Sequence, residues 1–87
     1  MQADQKKIER LLKTAKGQID GILRMVEEDR YCMDISAQVM AADAVLRKVN
    51  NEIIRAHMKG CVKAAILEET GDEKIDELMA AVDKLTK

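Results

Sequence analysis

Apolar residues recur along most of the chain at spacings of three and four, the period of an α-helix buried on one face. Between about Asp4 and Asp29 the apolar positions are Ile8, Leu11, Leu12, Ala15, Ile19, Ile22, Leu23 and Val26. Lys6, Arg10, Lys13 and Arg24 fall in a narrow stripe on the opposite side of the same helix. Gly17 and Gly21 each weaken that helix by roughly 1 kcal/mol relative to Ala, so they are expected to mark a close helix–helix contact. Glu27-Glu28-Asp29-Arg30 is a polar connection. A second helix is predicted from near Cys32 to about Leu67. Its Ile35, Val39, Ala42, Leu46, Val49 and Ile53 form a seam like that of a coiled coil, and Ala37, Ala41 and Ala44 give it a second narrow face. Gly71 is a natural terminator for that helix. Thr70 or Asp72 is a cap for a third, with Thr70 and Glu73 at the capping-box spacing. Ile75, Leu78, Met79, Val82 and Leu85 give the third helix its apolar stripe.

Nothing alternates as a strand does, so the fold class is all-α: a three-helix protomer with a long second helix, in a single domain over residues 1–87. A helix from 32 to 67 is about 50 Å long by its rise. Two shorter helices of one chain cannot cover it. At least an antiparallel helical dimer is therefore expected, and a chain this short gains core by associating.

Composition narrows the chemistry. Phe, Trp and Pro are absent, and Tyr31 is the single aromatic residue, so the core is aliphatic and no aromatic platform exists for stacking on bases. No apolar run is long enough to span a membrane. The first residues carry charge without the apolar stretch of a signal peptide. The chain therefore reads as cytoplasmic, where two cysteines are thiols available for metal or redox chemistry and not a structural disulfide. The net charge of −1 conceals an uneven distribution. Lys6, Lys7, Arg10, Lys13, Lys16 and Arg24 crowd the front, whereas acidic residues dominate from Glu68 onward. A row of cations is often only a solvated face. Repeated by an oligomer, it becomes a surface for duplex DNA, because phosphate contacts add up. Arg47 and Lys48 are the basic candidates in the second helix. There is no Ser/His/Asp set, no phosphate-binding glycine loop and no carboxylate pair in a plausible cleft, so no enzyme is expected.

Outside methionine, the soft and borderline ligands are Cys32, His57 and Cys61. His57 and Cys61 stand four apart, on one side of a helix. Cys32 precedes His57 by 25 residues, or about 37 Å of continuous helix, so the three cannot meet within one chain. In an antiparallel dimer Cys32 meets His57 and Cys61 of the partner subunit. Two thiolates and one imidazole suit Cu(I) best; Zn(II) normally takes a fourth ligand and Ni(II) more nitrogen. The same thiols also suit redox sensing through disulfide or polysulfide formation. Each residue taken alone is more commonly a packed core side chain. The six methionines, Met33 and Met58 among them, are gap-fillers before they are ligands.

Tyr31-Cys32, His57-Met58-Lys59-Gly60-Cys61-Val62 and Gly17-Gln18-Ile19-Asp20-Gly21-Ile22 together resemble the copper-sensitive operon repressor (CsoR) family over nearly the whole chain. That family also holds nickel/cobalt, formaldehyde and persulfide sensors. Nickel and formaldehyde sensors usually replace the last Cys, and persulfide sensors lack the His. The resemblance implies that Cys32, His57 and Cys61 are Cu(I) ligands. It implies that Tyr31 and Glu77 are the Tyr and Glu that copper members couple to the ligating His. It further implies an antiparallel dimer, commonly a dimer of dimers, whose metal-free form binds operator DNA and is released by the metal. The family often has Arg-Leu-x-Arg-Ile-x-Gly-Gln in the first helix, and here Leu11 and Thr14 stand at the two arginine positions. Arg10, Lys13, Lys16, Arg47 and Lys48 are then the DNA-contact candidates. Two alternatives stay open: a persulfide, oxidant or other-metal sensor of the same fold, and a copper-buffering helical oligomer without a DNA role.

Overall fold

A computed structural model describes residues 1–68 and 71–85 of the chain. The elements are α1 (Gln5–Glu27), α2 (Cys32–Glu68) and α3 (Gly71–Leu85). Among the described residues there is no strand, and no helix is long and apolar enough to cross a membrane.

Asp4 caps α1, its carboxylate accepting from the backbone N–H of Lys6 at 3.0 Å and of Lys7 at 3.4 Å. The other end stops short of the expected Asp29. Arg30 N–H donates to Met25 C=O at 3.0 Å and Asp29 N–H to Val26 C=O at 3.1 Å, the paired bonds of a Schellman motif. This requires a left-handed residue, and Asp29 takes it with φ 54°. An L-residue pays roughly 1 kcal/mol or more in that conformation where glycine does not. Asp29→Gly is accordingly expected to raise stability by up to about 1 kcal/mol, as a higher thermal midpoint; an unchanged or lower midpoint would show that the Asp side chain compensates for the strain.

Tyr31 C=O accepts from Asp34 N–H and Ile35 N–H and so starts α2. The connection 28–31 is short, and the helices return antiparallel. Near the start of α1, Lys7 pairs with Glu52 at 3.2 Å, and a Cβ built on Gly60 would lie 3.0 Å from the Gln2 side chain. The close glycine is thus Gly60. A Cβ on Gly17 would meet nothing within 4 Å, and one on Gly21 only the Arg24 guanidinium at 3.8 Å. The expected contact at these two glycines is absent within the chain, because they stand on the side of α1 turned from α2.

Gly71 is the first residue of α3 instead of the terminator of α2, and no glycine among the described residues has positive φ. Thr70, the alternative cap, lies outside the described residues.

The three helices lie side by side. The molecule measures 57 × 27 × 12 Å, and its shortest dimension is about one helix diameter. A single layer has no second layer to close its core. The consequence shows in the seam of α2. Ala42 and Val49 are buried, Ile35 and Ile53 half-buried, but Val39 is 50% and Leu46 42% exposed. The seam is split because α1 covers only the edge of α2 that faces it. On α1, Ile8 and Ala15 are buried whereas Leu12, Ile19, Leu23 and Val26 are exposed. On α3, Leu78 and Val82 are half-buried and Ile75 and Met79 exposed. Along α1 and α2 one broad side of the layer is left apolar, whereas Ile75 and Met79 stand about 160° around α3 from Glu77 and so face the other broad side.

Candidate metal centre

Residues of α2 can be placed around its axis at about 100° per residue. Cys32, Val39, Leu46, His57 and Cys61 then fall in one stripe about 60° wide, on the apolar side of the layer. His57 and Cys61, one turn apart, meet α3 there. His57 Nε2 lies 2.7 Å from Glu77 Oε1 and 3.2 Å from Cys61 Sγ. Candidate donor atoms of His57, Cys61 and Glu77 all lie within 4.8 Å of one another.

The three groups have different parts. Nε2 carries at most one hydrogen. The carboxylate, nearer and charged, is the better acceptor for it than sulfur. With Nε2–H given to Glu77, the imidazole keeps its lone pair on Nδ1 and its ring orientation is fixed, the usual arrangement for a metal-ligating histidine. The Cys61 thiol is buried at 5% exposure, whereas Cys32 is exposed at the first position of α2. The structure therefore joins His57, Cys61 and Glu77 and leaves Cys32 and Tyr31 at the far end of the same helix. Tyr31 is 66% exposed. One chain offers one thiol and one imidazole at a point, an incomplete set for a soft metal; Cys32, on the same stripe, is the soft donor it lacks.

The basic candidates do not form one patch. Arg10, Lys13 and Lys16 are exposed on α1, where Lys6, Glu9, Arg10, Lys13 and Thr14 line a shallow hollow. Arg47 pairs with Asp43 at 2.9 Å. Lys48, about 100° further round, points to the other broad side of the layer. It shares that side with Arg55 and Lys59, both exposed. These two are not evident from charge counted along the chain; their spacing from Lys48, seven and eleven residues, is the signal that reveals them.

The metal-sensitive transcriptional repressor family model matches residues 4–84. The copper-sensing transcriptional repressor CsoR of Mycobacterium ulcerans is 44% identical over 71 residues, covering 82% of this chain and 61% of that protein. The CsoR of Bacillus subtilis is 41% identical over 76 residues, covering 87% of this chain and 75% of that protein. The chain thus spans about three fifths of the length of the mycobacterial CsoR relatives. Among solved structures, the nickel-responsive transcriptional regulator InrS superposes with a TM-score of 0.88 at 30% identity, over 98% of this chain and 96% of that one. The copper-sensing repressor CsoR with Cu(I) from Geobacillus thermodenitrificans gives a TM-score of 0.85 at 38% identity, over 94% of this chain and 85% of that one.

Proposed function

The chain belongs to the metal-sensitive transcriptional repressor family, and from that premise we propose that it is a Cu(I)-responsive repressor whose metal site is shared between two subunits. The carrying observation is the convergence of His57 and Cys61 beside Glu77 on the same stripe of α2 that bears the remaining cysteine, Cys32, at its other end. The layer's uncovered apolar side, which includes Val39 and Leu46, supports an antiparallel dimer closed by a second copy. Such a two-fold pairing lays the start of one α2 against the end of the other. Cys32 of one protomer and His57 and Cys61 of the partner subunit then complete a soft three-ligand set, which suits Cu(I). Two sites form per dimer, and pairing of dimers into a homotetramer repeats the basic surfaces.

Metal-free protein holds operator DNA largely through phosphates. Bound Cu(I) supplies cross-links between the two subunits. Ligation fixes the angle between the long helices and favours the arrangement that does not fit DNA; DNA weakens metal binding by the same factor. Such a protein works in the cytoplasm, where the DNA is, and performs no catalysis. Its named relatives are transcriptional repressors.

His57 and Glu77 transmit the metal's presence to α3. His57→Ala is expected to keep much of its Cu(I) uptake through two thiolates yet lose most of the release from DNA, and Glu77→Ala to weaken release in the same direction. Binding of a labelled duplex, measured with and without Cu(I), checks this; normal release by the His57→Ala protein would remove that residue from the coupling path.

The likeness to a nickel-responsive regulator favours a second reading, Ni(II) as the effector. The chain has a single histidine, and Ni(II) sites favour more nitrogen donors. Parallel titrations with Cu(I) and Ni(II) separate the two, with Cu(I) expected to bind far more tightly.

A further inference from the structure

We infer that Asp43 and Arg47 set the register and the partner choice of the subunit pairing along α2, through ion pairs exchanged between two copies of this chain. This rests on the antiparallel dimer proposed above and adds what selects one alignment and one partner. Around α2, Asp43 and Asn50 fall within about 20° of Cys32, inside the stripe that carries Val39, Leu46, His57 and Cys61. Both are exposed, so polar groups interrupt the apolar seam near its middle. A polar residue at such a seam fixes register at some cost in stability. Arg47 stands about 40° beyond Asp43, on the flank turned from the buried Ala42 and Val49. Its Nε–H donates to Asp43 Oδ2 at 2.9 Å, with the two side chains 78% and 55% exposed. One such bond leaves most of the guanidinium fork and most of the carboxylate's lone pairs open to a second partner.

The shared metal site fixes the level at which two copies meet. Cys32 lies level with the turn between His57 and Cys61 of the partner subunit. Carried along two antiparallel helices, that level puts Asp43 within about 1.5 Å of rise of Arg47 of the partner subunit. Two-fold pairing sets like flank against like flank, so these two side chains share one flank of the seam. Each guanidinium then stands between its own Asp43, about 6 Å of rise away, and Asp43 of the partner subunit. Asn50 falls about 3 Å of rise from that same carboxylate, within reach of its amide. A parallel pairing would set Asp43 against Asp43 and Arg47 against Arg47. A slip of one heptad would part each cross-subunit pair by about 10 Å. An exposed ion pair adds little affinity by itself. Its effect is on specificity, because a wrong alignment or a wrongly charged partner opposes like charges.

The test exchanges the two charges. Asp43→Arg with Arg47→Asp keeps the net charge, the ion pair within each helix and, between two copies of the variant, both pairs across the interface. A mixed dimer with wild type instead opposes Asp to Asp and Arg to Arg. Reduced, metal-free full chains are used, with the wild type isotope-labelled. Circular dichroism and analytical ultracentrifugation check folding and self-association of each protein alone. Native mass spectrometry then counts labelled and unlabelled chains in each dimer after mixing, and labelled with unlabelled wild type sets the time for full exchange. The variant is expected to dimerise as wild type does. Mixed dimers are expected to fall from the half or so of random exchange to below about a fifth. Mixed dimers at about half, or a folded variant that stays monomeric where the wild type dimerises, would overturn the pairing while leaving the dimer. If that variant does not fold, Asp43→Lys with Arg47→Glu makes the same exchange with other side chains. A wild-type chain that is monomeric throughout would overturn the dimer reading, and the pairing with it.

Discussion

Cys32→Ser is expected to abolish tight Cu(I) uptake as completely as Cys61→Ser, although Cys32 lies about 37 Å along α2 from the nearest other soft ligand of its own chain. Within one protomer the site has one thiol and one imidazole, with Glu77 holding the imidazole nitrogen at 2.7 Å. Removing either thiol leaves one thiolate and one histidine, within one chain when Cys32 is lost and across the interface when Cys61 is lost, and an oxygen in place of sulfur is a poor donor to Cu(I). Loss of an outer partner of a metal ligand typically costs 10- to 100-fold in affinity, so loss of a sulfur ligand should cost more than about 100-fold. An anaerobic titration of reduced protein against a coloured Cu(I) chelator measures this, with about one ion per chain expected for the wild type. If Cys32→Ser still competed normally for copper while Cys61→Ser did not, the soft site would be local to one chain.

Val39→Asp with Leu46→Asp is expected to separate the subunits and to remove copper binding with them. Both residues lie on the stripe of α2 between the two ends of the site and are 50% and 42% exposed in the single layer. Burying an aliphatic side chain of this size is worth about 1.5–3 kcal/mol, and a carboxylate there must be desolvated as well. The pair should weaken association by several kcal/mol; each 1.4 kcal/mol is tenfold, so a change of more than about a thousandfold is expected. The folded protomer does not bury these positions, so helix content at high protein concentration should fall less than association does. Analytical ultracentrifugation reads the association. A variant that stays a dimer and still takes up copper would place the interface on another surface.

The helices themselves were legible because their apolar residues keep a helical period through α1 and α2 without proline. The exact end of α1 was not, since a Schellman motif with Asp29 in the glycine position leaves no glycine to announce it. Periodicity located the seam of α2 but could not say which neighbour covers each residue. Val39 and Leu46 share the period of Ala42 and Val49, yet α1 reaches only the latter pair. Gly17 and Gly21 stand out in sequence because they weaken their helix, whereas the close approach occurs at Gly60, whose neighbour Gln2 is distant in sequence. At the site, the four-residue spacing of His57 and Cys61 already puts imidazole and sulfur on one side of a helix. Glu77 sits on another helix, twenty residues away, and only the family resemblance singled it out. The basic row was hidden for a related reason: charge counted along the chain groups Arg47 with Lys48, but adjacent helical residues point about 100° apart.

The shared site is tested most directly by mixing two inactive proteins. Cys32→Ser and Cys61→Ser chains are each expected to show no tight Cu(I) uptake alone. After subunit exchange, a mixed dimer pairs the intact Cys32 of one chain with the intact His57 and Cys61 of the other. One of its two sites is whole, and random exchange should restore about a quarter of the wild-type capacity. Recovery of that capacity on mixing is the predicted result. A mixture that has demonstrably exchanged subunits and still binds no copper would contradict a site built across the interface.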